Sequence, residues 1–416
     1  MKNIYTSVDI GSDTIKVIVC EQFQNKLHLL AASSVKSKGI KKGLITNINE
    51  ATESLKKAFD EIEVMLGVKI KKVIASVPAY FAEFVYTKGE IKIGNEDGIV
   101  TGDDIIKVLH VAMKSKMRPA KELVTMIPID FSIDDQSEIK DPKGLRGSVL
   151  GARAIMVTTP KKNIYSVVGL IESIGIEVVD ISLNCIGDIY ALKNKEMEEQ
   201  IGAIINVGAE ITSVSLYNKG IIVKNSIIQL GGSNIDNDIA YICKIDQDVA
   251  CKIKEKFALA HKRYASVNDT YEISTSYDEK LKINQFEVSE IVMSRIEEIL
   301  TLAKKEINIL TNKKIQYIII TGGTSNMTHF HYVAEDVFGK DVKIGNIKTT
   351  GIRHNKYSSA LGNIIYFINK LELKGIEDYS MFTKSDIEDL SSTRKGILNI
   401  SNESMLGKVF GYFLSE

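Results

Sequence analysis

Two stretches decide the architecture: VDIGSDTIKV at residues 8–17 and INVGAEITSV at residues 205–214. Each reads as a strand rich in β-branched residues that ends in a short polar residue, Asp9 in one and Asn206 in the other. An apolar residue, a glycine and two small or acidic residues follow, and then strand again. The same hairpin about half a chain apart predicts an internal duplication and hence two similar lobes. A cleft between two lobes is a common place for a nucleotide.

Working outward from the first hairpin, residues 27–35 read as a third strand. Residues 47–66 carry apolar side chains at a 3.6 period, with Asn47 or Asn49 as cap and Gly67 as terminator, which predicts a helix. Residues 73–77 form another strand, which Pro78 stops. Residues 83–162 have their own character: strands at 86–93, 124–133 and 152–158, a helix at 103–117 and a loop at 141–151. This predicts a small inserted α+β module. Residues 163–175 and 185–195 are helical by pattern. Beyond the second hairpin, 226–304 reads as a mainly helical insertion with helices at 236–244, 246–264 and 286–310. A strand at 317–321 follows and runs into Gly322-Gly323-Thr324-Ser325.

Composition narrows the function classes. The 416 residues hold 53 Lys+Arg and 53 Asp+Glu, so no bulk basicity draws the chain to nucleic acid. An apolar fraction of 44% excludes a disordered chain. The four cysteines form no C-x-x-C pair, which argues against a zinc site or a disulfide framework. No run reaches the ~18 apolar residues of a membrane span, so a soluble protein, at most resting on a membrane, is expected. His329 and His331 are two apart and do not share a helical face.

The chemistry concentrates at three glycine-bearing strand ends. In the first, the turn around Gly11, Ser12, Asp13 and Thr14 can aim backbone N–H groups at phosphate oxygens. Asp9 can hold Mg²⁺ through water, and Lys16 can reach a phosphate. The second, Asn206 with Gly208, Ala209 and Glu210, has the same shape with an amide for the carboxylate. In the third, Gly322, Gly323 and Thr324 leave room for a flat base or ribose against the backbone. Three such ends in this order are far more specific than any one alone.

This order resembles the actin-like superfamily that also holds heat-shock chaperones and sugar kinases. More narrowly, the chain resembles FtsA, the bacterial actin-like cell-division family. The resemblance is carried by DIGSDTIKV (9–17), DPKGLRGSVLGA (141–152), LGGSNIDNDIA (230–240), IKEKFALA (253–260), SRIEEIL (294–300), TGGTS (321–325), YSSALGNIIYF (357–367) and an apolar terminal segment. It implies an α/β, two-lobed actin-like ATPase fold with duplicated β-sheet/helix lobes and an inserted small α+β subdomain. The implied division is 1–82 with 358–374 (subdomain 1A), 83–162 (1C), 163–228 with 305–357 (2A) and 229–304 (2B). A flexible linker at 375–403 and an amphipathic membrane-targeting helix at 404–416 would follow.

The resemblance further implies ATP and Mg²⁺ in the cleft, self-association into filaments, and tethering of the tubulin-like FtsZ to the cytoplasmic face of the membrane at the division site. Later division proteins would meet the inserted subdomain. In the nucleotide site, Gly231, Gly232, Lys252 and Glu255 would join the three glycine ends, with Lys252 and Glu255 near the ribose or base. Arg295 would meet the acidic C-terminal peptide of FtsZ. The terminal MLGKVFGYFLSE places Leu406, Val409, Phe410 and Phe413 on one helical face. At ~18 Å such a helix is too short to span a bilayer but can lie in its interface.

Two departures matter. The superfamily usually carries Asp where this chain has Asn206, and relatives often place Glu or Gln near Asn184. Both amides are weaker candidates for catalysis, which predicts nucleotide binding with slow or undetectable hydrolysis. Two other readings stay open: an actin-like pilus-assembly protein, and a small-molecule kinase of the same superfamily. The kinase needs an Asp general base that the sequence does not offer.

Overall fold

The computed structural model describes residues 3–114, 116–274 and 280–390. The first lobe opens with β1 (Asn3–Ile10), β2 (Thr14–Phe23) and β3 (Lys26–Lys36), an antiparallel meander. A two-stranded ribbon, β4 (Ile40–Lys41) and β5 (Leu44–Ile45), leads to α1 (Ile48–Leu66) and β6 (Lys72–Val77). Asn47 caps α1 through its side chain, and Gly67 ends it in the left-handed region at φ +72°. The apolar stripe of α1, Ala51, Leu55, Ala58, Phe59 and Ile62, is fully buried against the sheet.

The inserted module comprises β7 (Glu83–Lys92), α2 (Gly102–Lys114), β8 (Lys121–Ile133), β9 (Gln136–Ile139) and β10 (Val149–Pro160), with sheet order β7-β10-β8-β9. Its far half has a small core of its own, built on Ile105, Val108, Phe131 and Leu150. In its near half Val124, Ile127, Ile155 and Val157 join the core of the first lobe. The chain then runs through α3 (Lys161–Glu172) to β11 (Glu177–Leu183), which pairs with β6 and completes the first sheet in the order β11-β6-β1-β2-β3, so residues 163–183, expected in subdomain 2A, belong to the first lobe instead.

Helices α4 (Asn184–Leu192) and α5 (Lys195–Glu199) lead to the second lobe: β12 (Ile201–Val207), β13 (Thr212–Asn218) and β14 (Ile221–Ile228). Next come α6 (Gly232–Cys243), α7 (Gln247–Lys256), the ribbon β15 (Thr270–Ser274) and β16 (Lys280–Asn284), and α8 (Gln285–Leu310). The lobe closes with β17 (Tyr317–Thr321), α9 (Phe330–Phe338) and β18 (Val342–Ile344). Its sheet order is β14-β13-β12-β17-β18. Each large sheet is therefore an antiparallel meander of three strands with two parallel strands beside its first. That shared topology is the duplication the two hairpins predict.

α10 (Ser358–Leu373) carries the chain back to the first lobe and crosses α4 backbone against backbone. A Cβ on Gly362 would stand 1.6 Å from the Gly187 carbonyl oxygen, so only glycine permits this approach.

Three further expectations need correction. The helix expected over 246–264 stops at Lys256. The backbone beyond it is taken by tertiary partners: Leu259 N–H donates to Ser289 at 3.0 Å, and Ala260 N–H to the Thr328 carbonyl at 2.9 Å. The insertion expected to be mainly helical also contains the β15–β16 ribbon.

The third correction concerns the flexible linker expected at 375–403. Its described part, to Leu390, is docked on the first lobe. Met381 N–H donates to the Ile4 carbonyl at 2.9 Å, and Met381, Phe382 and Leu390 are buried. These apolar residues are irregularly spaced, so they show no period, yet each finds a place in the core. Residues 391–403, and the terminal segment with Leu406, Val409, Phe410 and Phe413, lie outside the described residues.

Candidate nucleotide cleft

The two hairpin tips share one geometry. Gly11 N–H donates to the Thr14 carbonyl at 3.2 Å, and Gly208 N–H donates to the Ile211 carbonyl at 2.9 Å. A Cβ on either glycine would stand 2.9 Å from that same carbonyl oxygen. The register pairs Asp9 with Lys16 in the first hairpin and Asn206 with Ser213 in the second. Asp9 and Asn206 are thus equivalent positions, one in each lobe.

Between the lobes lies a cleft of about 490 Å³. It is lined by Asp9, Gly11, Ser12, Asp13, Thr14 and Lys16 from the first hairpin, and by Asn206, Gly208 and Ala209 from the second. Gly322, Gly323 and Thr324 form a third side, Gly232 and Glu255 a fourth, and Asn184 stands at the start of α4. Gly322, at φ +96°, lets the end of β17 lie beside β12, where a Cβ would come 2.5 Å from Asn206 Oδ1. Around Gly323 the space is open, with Lys356 Cβ the nearest atom at 4.0 Å.

Three expected residues fall elsewhere. Lys252 is exposed and does not line the cleft; Lys254 does, with Cys251 and Glu255. Positions 251, 254 and 255 share one helical face, and 252 lies off it. Gly231 packs behind the second hairpin, where a Cβ would stand 2.6 Å from the Gly208 and Ala209 carbonyl oxygens. Glu210 is outside the cleft lining and instead joins the lobes: its carboxylate accepts from Lys42 N–H, and Lys42 Nζ donates to Gln229 at 2.7 Å. The adjacent Gly43 N–H donates to Ser12 Oγ at 2.7 Å, so the β4–β5 turn touches both hairpin tips.

Charged side chains line the cleft on the sides of the first hairpin, α7 and Lys356. Lys16 Nζ stands 3.0 Å from Asp9 Oδ2, with both side chains largely buried. Lys254 donates to Asp236 at 2.8 Å and to the Gly232 carbonyl at 3.1 Å. Burial pushes the Asp236 carboxyl up against the pull of Lys254. Burial likewise lowers Lys356, helped by the nearby Lys16. Asp13 pairs with Lys36 at the mouth and raises its pKa through the hydrogen bond they share.

Beneath the second hairpin, Asp188 is 1% exposed and its carboxyl is pushed up to about 6 by burial, against the hydrogen bonds it accepts from Asn206, Ser358 and Ser359. Sequence reasoning did not single out Asp188, Asp236, Lys254 or Lys356. The available signal was helical spacing: Asp188 is four residues after Asn184, on one face of α4.

Arg295 lies on α8, away from the cleft. Its guanidinium donates to both Asp238 oxygens, at 2.6 and 2.9 Å, and to Glu298 at 2.5 Å. These ion pairs raise its pKa further and occupy much of its donor fork. Among the described residues no helix is long and apolar enough to cross a membrane, and no cluster of three or more His, Cys, Asp or Glu could hold a metal ion.

Comparison with known proteins agrees with this geometry. The model of "Cell division protein FtsA" matches residues 203–362, and that of the "SHS2 domain inserted in FTSA" matches residues 82–158, which are the inserted module. Cell division protein FtsA of Bacillus subtilis is 28% identical over 375 residues, covering 89% of this chain and 85% of that protein. Among solved structures, a PilM-PilN type IV pilus biogenesis complex superposes with a TM-score of 0.56 at 14% identity, over 90% of this chain and 99% of that one. MreB5 of Spiroplasma citri bound to ADP gives 0.53 at 14% identity, over 91% and 99%. At such identities these two likenesses speak for the actin-like fold alone. The inserted module, the duplicated lobes and the two family matches lead to one assignment: the chain belongs to the FtsA family of actin-like cell-division proteins.

Proposed function

We propose that the chain binds ATP with Mg²⁺ in the interlobe cleft, assembles into actin-like filaments in that state, and links FtsZ to the cytoplasmic face of the membrane at the division site. One observation carries the nucleotide reading: two hairpin tips of the same geometry face one cleft, with an open glycine pair beside them. Tight turns of this kind aim successive N–H groups at a single anion. Lys16, Lys254 and Lys356 supply positive charge. The space beside Gly323 admits the flat sugar or base. MreB5, which shares the fold, is a nucleotide binder in its own structure.

The residues present fit a hard cation. Asp9 offers a carboxylate and Asn206 an amide oxygen, and both line the cleft. Bound Mg²⁺ would supply neutralisation of the phosphate charge. Lys16 holds Asp9 in place, and Asn184 and Asn206 leave the cleft without a carboxylate at either position to draw a proton from water. Hydrolysis is therefore expected to be slow or undetectable.

A ligand closes two lobes only insofar as it binds the closed arrangement better. Contacts to both hairpins give that difference here, and filament contacts would depend on it. For the acidic FtsZ peptide, Arg295 remains the proposed partner, with Glu298 displaced when the peptide arrives. The inserted module would meet later division proteins, and the terminal apolar segment would meet lipid. Liposome co-sedimentation of the full chain with FtsZ, with and without Mg-ATP, tests the whole reading. Co-pelleting that needs both Mg-ATP and residues 404–416 supports it, and FtsZ left in the supernatant contradicts it.

A further inference from the structure

The two matched hairpins differ in where they keep negative charge. In the first, Asp9 carries it at the strand end, and Lys16 directly across the ladder holds one oxygen. In the second, the equivalent position is the uncharged Asn206, and across the ladder is Ser213. The carboxylate lies one layer back, on the buried Asp188 of α4.

Asp188 is well held. Ser358 and Ser359, the first two residues of α10, donate to its Oδ1 at 2.6 and 2.9 Å. The N-terminus of that helix favours an anion beside it. Its other oxygen accepts from Asn206 Nδ2 at 2.6 Å. An ionised carboxylate only accepts, so the Asn206 amide must turn its nitrogen toward it. The amide oxygen is left beside Gly322, in the wall of the cleft. An aspartate at 206 would meet Asp188 at that same spacing, where two like charges cannot both ionise.

We propose that Asp188 is a positioning residue for the second phosphate loop: it locks Asn206 with its amide oxygen, not its nitrogen, toward the cleft, where that oxygen receives the hydrated Mg²⁺ of a bound nucleotide. The charge that the first loop carries at its tip is kept behind the second, and Asn206 is the residue that such an arrangement requires. This rests on the nucleotide reading above and extends it to one named hydrogen bond.

The test measures the affinity of the full chain for a fluorescent ATP analogue, once with Mg²⁺ and once with EDTA. The ratio of the two is the quantity of interest. In D188N the partner can donate as well as accept, so Asn206 is free to turn over, and the Mg²⁺ enhancement is expected to fall by about fivefold. In the swap D188N/N206D the amide at 188 donates to the carboxylate at 206 and still accepts from Ser358 and Ser359, and the second carboxylate oxygen now faces the cleft. The swap is expected to restore the enhancement to the starting value or above it.

A purely structural Asp188 would change melting temperature in D188N and leave the ratio alone, and that result overturns the proposal. If D188N does not fold, the swap still decides: a folded swap whose ratio falls below that of the unaltered chain overturns it. An unaltered chain that binds no adenine nucleotide would remove the nucleotide reading itself. Binding with an unchanged ratio in D188N would remove only the role of Asp188.

Discussion

Replacing Gly362 with alanine tests the helix crossing on which the two-lobed arrangement turns. The added Cβ would stand 1.6 Å from the Gly187 carbonyl oxygen, 2.4 Å from its carbon and 2.8 Å from its Cα. An ordinary C···O contact is about 3.4 Å, so α4 and α10 must separate by about 2 Å. All three opposing atoms are backbone, and no side chain can rotate away to make room. Overpacking of this kind costs about 1–3 kcal/mol, and this case belongs at the top of that range because separation also forfeits contacts along both helices. Against it, alanine in a helix interior is favoured over glycine by about 0.5–1 kcal/mol. The net expectation is a loss of about 2 kcal/mol. The control is Gly169→Ala on the exposed face of α3, where nothing lies within 4 Å of the new Cβ. It should gain about 0.5–1 kcal/mol from the same backbone term alone. Urea unfolding of both variants beside the unaltered chain reads the difference. If G362A were as stable as G169A, the backbone-to-backbone crossing would be wrong.

A chain ending at Lys374 would lose the burial of Met381, Phe382 and Leu390, each worth about 1.5–3 kcal/mol, so it should unfold at markedly lower urea than a chain ending at Leu390. Equal midpoints would contradict the docked tail. Gly232→Val puts a Cβ 2.7 Å from Thr324 Oγ1 inside the cleft and should weaken binding of a fluorescent ATP analogue by about tenfold or more, measured by titration. Glu210→Ala removes the carboxylate that holds Lys42 N–H, and limited proteolysis of the β4–β5 turn should speed up by about threefold without nucleotide. Glu298→Ala frees part of the Arg295 fork and should tighten binding of an acidic FtsZ tail peptide, whereas Arg295→Ala should abolish it; isothermal titration compares the two.

Much of the fold was legible because its signals are local. The repeated glycine hairpins, the apolar stripe of α1 and its Asn47 and Gly67 caps all follow from residues close in sequence. What escaped depends on distant partners. Leu259 and Ala260 look helical until Ser289 and Thr328 take their N–H groups. Tyr379, Met381, Phe382 and Leu390 follow no period, because each enters a different gap in the first lobe. At the site, the glycine ends could be read directly, since turn chemistry fixes them. Lys254, not Lys252, faces the cleft, and the sequence does not show this because the phase of a short helix is not fixed until its neighbours are known. Asp188 escaped for a related reason: its spacing from Asn184 gives the helical face, but the Ser358 and Ser359 hydroxyls that hold it lie some 170 residues away.

In the proposed function both hairpins grip one nucleotide. Hydrogen exchange of the full chain, with and without Mg-ATP, tests it most directly. Exchange is expected to slow at 9–14, 208–213 and 322–324 together, with the far half of the inserted module unchanged. Protection at one hairpin without the other, or none at any of the three, would contradict it.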